Sequence, residues 1–331
     1  MSKNIIAPDQ LSGASYNFNR MVLAGLTLNE IKKQRLKTNA SLLRKDEWKV
    51  IDDTIVTVAR NRLHAVQDLI DRNLTKDAGG LGSLLAQYEK ASGMTEAEIS
   101  MSPITDSEED TQTFDIASTP IPIVQKDFTL DIRRLQASRR RGTSLDDSQA
   151  TEATRKVSEA SEDMVVNGVQ LTLNGNKIYG YTSFPDRIQG AAPGSWDTLS
   201  NIYTTVRLMI KDARDNGDFR GPFLLYTASE QWDEMMEVYE DGSGQTARDR
   251  VLDKFPNLED IKPLYNLEDG ELVLVQMTSD VVNLQIAESI NTIEWNTHGE
   301  LKSHYKVMAC WVPEIRSDSK GRCGLVHYTG A

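Results

Sequence analysis

The side chains best equipped for chemistry are five arginines packed into the stretch DIRRLQASRRRGTSLDD, residues 131–147. A guanidinium is a planar, permanently charged fork that pairs two-pronged with carboxylate or phosphate. On a helix Arg133, Arg140 and Arg141 share a face, while Arg134 and Arg139 spread around it. Three readings stand open: a solvated helical surface, a nucleic-acid contact, or a contact with carboxylates of a protein surface. No aromatic residue interleaves with these bases as a stacking platform requires, which counts against nucleic acid. Carboxylates are available in the same chain, because residues 91–125 hold Glu96, Glu98, Asp106, Glu108, Glu109, Asp110 and Asp115 and no base.

Other motifs fail their required contexts. Gly79, Gly80 and Gly82 follow a helical pattern instead of a strand, so they do not read as a dinucleotide-binding turn. The loop DGSGQTARD, residues 241–249, lacks the lysine and the spacing of a phosphate-binding loop. His64, His298, His304 and His327 lie far apart, with no HExxH pair, and there is no GxSxG elbow. We therefore expect no catalytic residues, no metal site and no cofactor, and read the chain as a non-enzyme.

The composition narrows the partners. With 331 residues and 39% hydrophobic content the chain can bury a substantial core. A net charge of −12 argues against a protein whose whole surface neutralises phosphates, so any basic function is local. Within residues 1–50 nine bases face four acids, giving +5 and leaving −17 for the rest. Cys310 and Cys323 make no disulfide framework. The start MSKNIIAPDQ does not read as a signal peptide, and no apolar run approaches the roughly 18 residues of a membrane span, so an aqueous compartment and no membrane partner are expected.

The elements that would position these residues follow from periodicity. Trp48, Ile51, Ile55, Val58, Val66, Leu69 and Ile70 predict one helix from Asp46 to about Asn73. Residues 91–125 predict a long acidic excursion, and TPIPIVQKDFTLD a single extended strand, since Pro120 and Pro122 forbid helix. A second helix starts near Thr143 or Ser144 and ends at Asn167-Gly168, with Ala150, Ala153, Val157, Ala160 and Met164 as its buried stripe and Ser158 exposed. Beyond it lie a helix over Asp197 to Asn216, a strand PFLLYTA, a helix SEQWDEMMEVY, a short helix to Lys254, and strands around LVLVQM, VNLQIAE and HYKVMACWVPEIR.

The run TPIPIVQKDFTLDIRRLQASRRRG, then SLDDSQATEATRKVSEASEDMVVNG and KIYGYTSF, resembles the centre of encapsulins and of the encapsulin-like major capsid proteins of tailed phages. GPFLLYTASEQWDEM is similar to the strand and following helix of that family's axial domain. The resemblance implies an α+β capsid fold with a peripheral domain, an axial domain, an extended loop and an N-terminal arm. Mapped on this chain it implies an arm and helix over 1–75, the extended loop with flanking strands over 76–130, a peripheral domain with the spine helix Leu145 to Val166 over 131–196, an axial domain over 197–280, and returning C-terminal strands over 281–331.

The function implied is that of a tailed-phage major capsid subunit, self-assembling into an icosahedral shell around double-stranded DNA. An encapsulin-type nanocompartment enclosing a cargo enzyme is the alternative. The long basic N-terminal portion departs from encapsulins and favours the first. Expected partners are the chain itself in hexamers and pentamers, a separate scaffold protein, a portal, and packaged DNA by non-specific contact. Expected placement is the virion capsid, after assembly in the bacterial host cytoplasm. Two sets of contacts are expected. Glu108, Glu109 and Asp110 of one subunit meet Arg139, Arg140 and Arg141 of the next, and Lys32, Lys33, Arg35 and Lys37 lie on the inner surface near DNA or an acidic scaffold.

Overall fold

The computed structural model describes residues 53–59, 62–91, 99, 111–112, 114–131, 133, 136–137, 140, 148–238, 244–297, 302–318 and 320–331. The chain divides into two compact units, one of Met1–His64, Ile123–Ser161 and Glu288–Cys310, the other of Ala65–Pro122, Glu162–Ala287 and Trp311–Ala331. In chain order the elements are α1 (Ala65–Asp71), β1 (Thr75–Asp77), β2 (Leu85–Ala91), β3 (Phe114–Pro120), β4 (Val124–Asp131) and α2 (Ser148–Val166). There follow β5 (Val169–Leu173), β6 (Asn176–Ile178), β7 (Ile188–Ala191), α3 (Leu199–Gly217), β8 (Phe223–Thr227), α4 (Ser229–Met235) and α5 (Ala247–Lys254). The last strands are β9 (Leu258–Pro263), β10 (Leu272–Gln276), β11 (Val282–Thr297), β12 (Lys302–Ile315) and β13 (Leu325–Thr329). This is a mixed α+β chain, as expected.

The second unit is built on a five-stranded sheet ordered β7-β13-β10-β8-β9. Its middle strands, FLLYT and LVLVQ, are buried at every position, the signature of strands covered on both faces. β10 runs antiparallel to β8 and β13, while β7 and β9 join the edges in parallel. Helix α3 lays Ile202, Val206, Met209 and Ala213 into the same apolar cluster as Phe223, Leu225, Leu272 and Val326. Spacings of three and four residues put those four side chains on one helical stripe. Helix α5 starts with a capping box in which Thr246 and Asp249 each bond the other's backbone N–H.

A four-stranded sheet has the order β1-β11-β12-β4, with Phe128 opposite Tyr305 in the antiparallel β4–β12 pair. The two rings stack at 5.0 Å. Two smaller ribbons complete the strands: β2 with β3, and β5 with β6.

Several expectations are corrected. The helix foreseen from Asp46 to Asn73 is not continuous. Residues 53–59 and 62 are helical, the path breaks at Leu63 and His64, and α1 begins anew at Ala65. TPIPIVQKDFTLD is two strands in two different sheets, separated at Ile121–Ile123, where Pro120 and Pro122 offer no N–H to a ladder. The acidic excursion opens and closes as a paired ribbon, with Leu85 opposite Pro120 and Ala91 opposite Phe114. On α2 the buried stripe runs through Ala150, Ala153, Thr154, Val157, Ser158, Ser161, Glu162 and Met164. Ser158 is therefore buried and Ala160 exposed, the reverse of the expectation. Small hydroxyls fit there because Thr154 and Ser161 donate back to the Ala150 and Val157 carbonyls at 2.8 and 2.7 Å.

The end foreseen for α2 is found. Gly168 sits at φ +75°, and a Cβ there would come within 2.7 Å of the Gly180 nitrogen and the Ile178 carbonyl oxygen. Gly180 is equally confined, so the chain of KIYGYTSF passes against the helix terminus by virtue of two facing glycines.

Candidate assembly surfaces

Among the described residues no group of three or more His, Cys, Asp or Glu is arranged to hold a metal ion. The histidines that are described stand apart. His304 stacks on Trp295 at 5.3 Å, and His327 lies in β13 between Arg187 and Glu271. The Arg187 Nε donates to His327 Nδ1 at 3.3 Å, and Nε2 lies 3.3 Å from a Glu271 oxygen. Burial lowers the imidazole's pKa more than Glu271 raises it, which keeps the ring neutral. Burial also raises the thiol of Cys323 to about 12, leaving it unreactive.

Two arrangements stand out, one interior and one on the surface. Inside the second unit, Glu162 of α2 accepts hydrogen bonds from the N–H groups of Ala65 at 2.6 Å and Val66 at 3.4 Å, taking the part of a cap for α1. One turn on, Asp68 accepts from the Tyr226 hydroxyl at 2.9 Å and from Lys262. Tyr181 stacks on Tyr226 at 6.1 Å, and both phenols are raised in pKa chiefly by complete burial, with the Asp68 and Glu162 charges adding to it. This brace positions α1 against α2 and β8. Its one signal in the sequence is a glutamate, Glu162, on a helical stripe of Ala, Val and Ser.

At the surface, the β2–β3 ribbon carries Phe114 and Ile116 with more than half of each side chain exposed, and β5 beside it carries exposed Val169 and Leu171. Of the arginines, Arg133 and Arg140 are helical and exposed. Arg139 and Arg141, like Glu108, Glu109, Asp110, Lys32, Lys33, Arg35 and Lys37, lie outside the described residues. The expected contacts between these arginines and carboxylates therefore fall outside the described residues.

The sequence model described as a family of unknown function, DUF6260, matches residues 37–328. The chain belongs to this family. The DUF6260 chain is also 23% identical over 204 residues to the type 1 encapsulin shell protein EncA of Myxococcus xanthus, covering 60% of this chain and 65%, just under two thirds, of that protein. Among solved structures it is similar to a virus-like particle from Pyrococcus furiosus, with a TM-score of 0.62 at 14% identity over 84% of this chain and 97% of the other. It is likewise similar to the capsid of Myoviridae phage XM1, with a TM-score of 0.60 at 12% identity over 78% and 89%. The DUF6260 chain thus has the α+β capsid fold common to encapsulin-like particles and tailed-phage major capsids.

Proposed function

We propose that this chain is the repeating subunit of an icosahedral shell, the major capsid protein of a tailed phage that self-assembles around double-stranded DNA. The observation that carries the reading is the shared fold: the likeness extends over most of this chain and nearly the whole of shell-forming chains. Function then resides in interfaces and not in catalysis, and the exposed apolar ribbon is the kind of surface a closed assembly buries. We assign the regions as arm, extended loop, peripheral domain, axial domain and returning strands, with the boundaries given above. Partners under this reading are further copies in hexamers and pentamers, a scaffold protein, a portal and the packaged DNA, with assembly in the bacterial cytoplasm.

The second reading is an encapsulin-type compartment around a cargo enzyme, and the likeness to an encapsulin shell protein favours it. The basic first 50 residues favour the phage. Negative-stain microscopy of the purified chain separates these outcomes: virus-sized shells support the first, small uniform cages the second, and dispersed monomers overturn both.

A further inference from the structure

The chain holds three Asn-Gly pairs, Asn167-Gly168, Asn174-Gly175 and Asn216-Gly217. Asparagine before glycine is the pairing in which a backbone nitrogen most readily attacks a side-chain amide, since no Cβ hinders the approach. The fold treats the three differently. Gly168 donates its N–H to the Met164 carbonyl at 3.0 Å, while the Asn167 amide donates to Asp163 at 2.8 Å and to the Asn266 carbonyl at 3.0 Å and accepts from Thr182 at 2.9 Å. Both reacting groups there are taken. Gly217 is the last residue of α3, so its N–H belongs to the helical ladder, and the Phe219 ring lies against it.

Asn174-Gly175 is the pair left free. It forms the two-residue loop between β5 and β6, closed by the Leu173–Asn176 pair, with φ of +52° and +84°, the backbone of a type I′ turn. Neither the Gly175 N–H nor the Asn174 amide makes a hydrogen bond among the described residues. Both residues are exposed, and a Cβ on Gly175 would meet nothing within 4 Å. The ribbon behind them is thin, with β5 exposed at Val169, Gln170, Leu171 and Thr172 and its ladder shifting register between Val169 and Thr172. The tip of such a two-stranded ribbon opens at small free-energy cost, and opening lets Asn174 rotate about ψ and bring its amide carbon to the Gly175 nitrogen.

We propose that Asn174 is a self-modifying site, at which the folded chain converts asparagine to aspartate and isoaspartate with water as the only co-reactant. The Gly175 nitrogen attacks the Asn174 Cγ and gives its proton to hydroxide; the Cγ–Nδ2 bond breaks and ammonia leaves, closing a cyclic imide. Water then adds to either imide carbonyl, returning aspartate by one route and isoaspartate, with the main chain running through the side chain, by the other. Nothing is oxidised or reduced. Each conversion adds a negative charge at the tip, and isoaspartate lengthens the loop by a methylene, which the two-residue turn between β5 and β6 cannot absorb in register. The reaction needs no partner, so it stands apart from the shell reading.

The test follows the full-length protein in mildly alkaline buffer made with oxygen-18 water, folded and in urea, by peptide mass spectrometry of all three pairs. In the folded protein Asn174 should convert at least about tenfold faster than Asn167 or Asn216, since only its site opens locally. Each product should carry one heavy oxygen, and the rate should rise with hydroxide. In urea the three rates should converge, because what protects the other two is structure. Survival of Asn174 in the folded protein, or the same order of rates folded and in urea, overturns the proposal.

Discussion

The Glu162 carboxylate, in the last two turns of α2, accepts from the Ala65 N–H at 2.6 Å, bridging 97 positions of sequence. Local residues leave the first N–H groups of α1 without partners, so a distant carboxylate supplies what an N-terminal cap ordinarily would. Glu162→Ala should lower unfolding free energy by about 1–3 kcal/mol, because two buried donors lose a charged acceptor. Glu162→Gln, which keeps an acceptor oxygen, should lose less. Denaturant midpoints of the three proteins order as wild type, Gln, Ala; an unchanged midpoint for Ala would sink the capping role.

A second prediction uses the corrected face of α2. Phenylalanine in place of Ala153 or Ser158, which are 4% and 0% exposed, should overpack the interior and cost about 1–3 kcal/mol. The same residue in place of exposed Ala160 should leave thermal stability unchanged within a few tenths. Equal melting temperatures for Ser158→Phe and Ala160→Phe would contradict the assignment.

His327 gives a pH dependence with a defined sign. Its folded pKa lies below the unfolded value of about 6.5, so the unfolded chain binds the proton more readily and stability rises with pH. The contribution is present above about pH 6.5 and is lost as acid drops below it. Between pH 7.5 and 5.5, His327→Asn should show a flatter loss of melting temperature than wild type. An identical slope in both proteins rejects the mechanism.

The arginine cluster is tested by charge reversal. Under the shell reading, changing Arg139, Arg140 and Arg141 to glutamate should block assembly, and adding lysines in place of Glu108, Glu109 and Asp110 should partly restore it. Each exposed pair is worth only about 0–1 kcal/mol, but a shell repeats it at every interface. Normal shells that merely lose DNA assign the cluster to nucleic acid.

The long regular elements were legible in the sequence and the pairing was not. Helix α2 ended where Asn167-Gly168 indicated, and α3, β8 and β10 fell within a few residues of their patterns. Strands β7, β9 and β13 escaped notice because parallel edge strands and a five-residue terminal strand derive their identity from distant partners, not from alternation. Ser158 and Ala160 were exchanged for a related reason: an alanine stripe with hydroxyls beside it fits two helical faces, and only the fold chooses one. The proline break at Ile121–Ile123 was visible in part, since both prolines were noted, yet their effect on a ladder depends on which sheet each half joins. The buried brace of Glu162 and Asp68 needed knowledge of which charges the fold would enclose.

The order of strands in the five-stranded sheet bears on how the protein is made. β13, residues 325–329, lies between β7 and β10, so that sheet cannot close until residue 329 has been synthesised. A growing chain, extended at about 5–20 residues per second, keeps the partner edges of β7 and β10 open from their own synthesis until β13 emerges. Prematurely terminated chains would carry those edges permanently, and such fragments are candidates for aggregation or proteolysis instead of incorporation. Synthesis of β13 thereby acts as a gate on which molecules can close the five-stranded sheet.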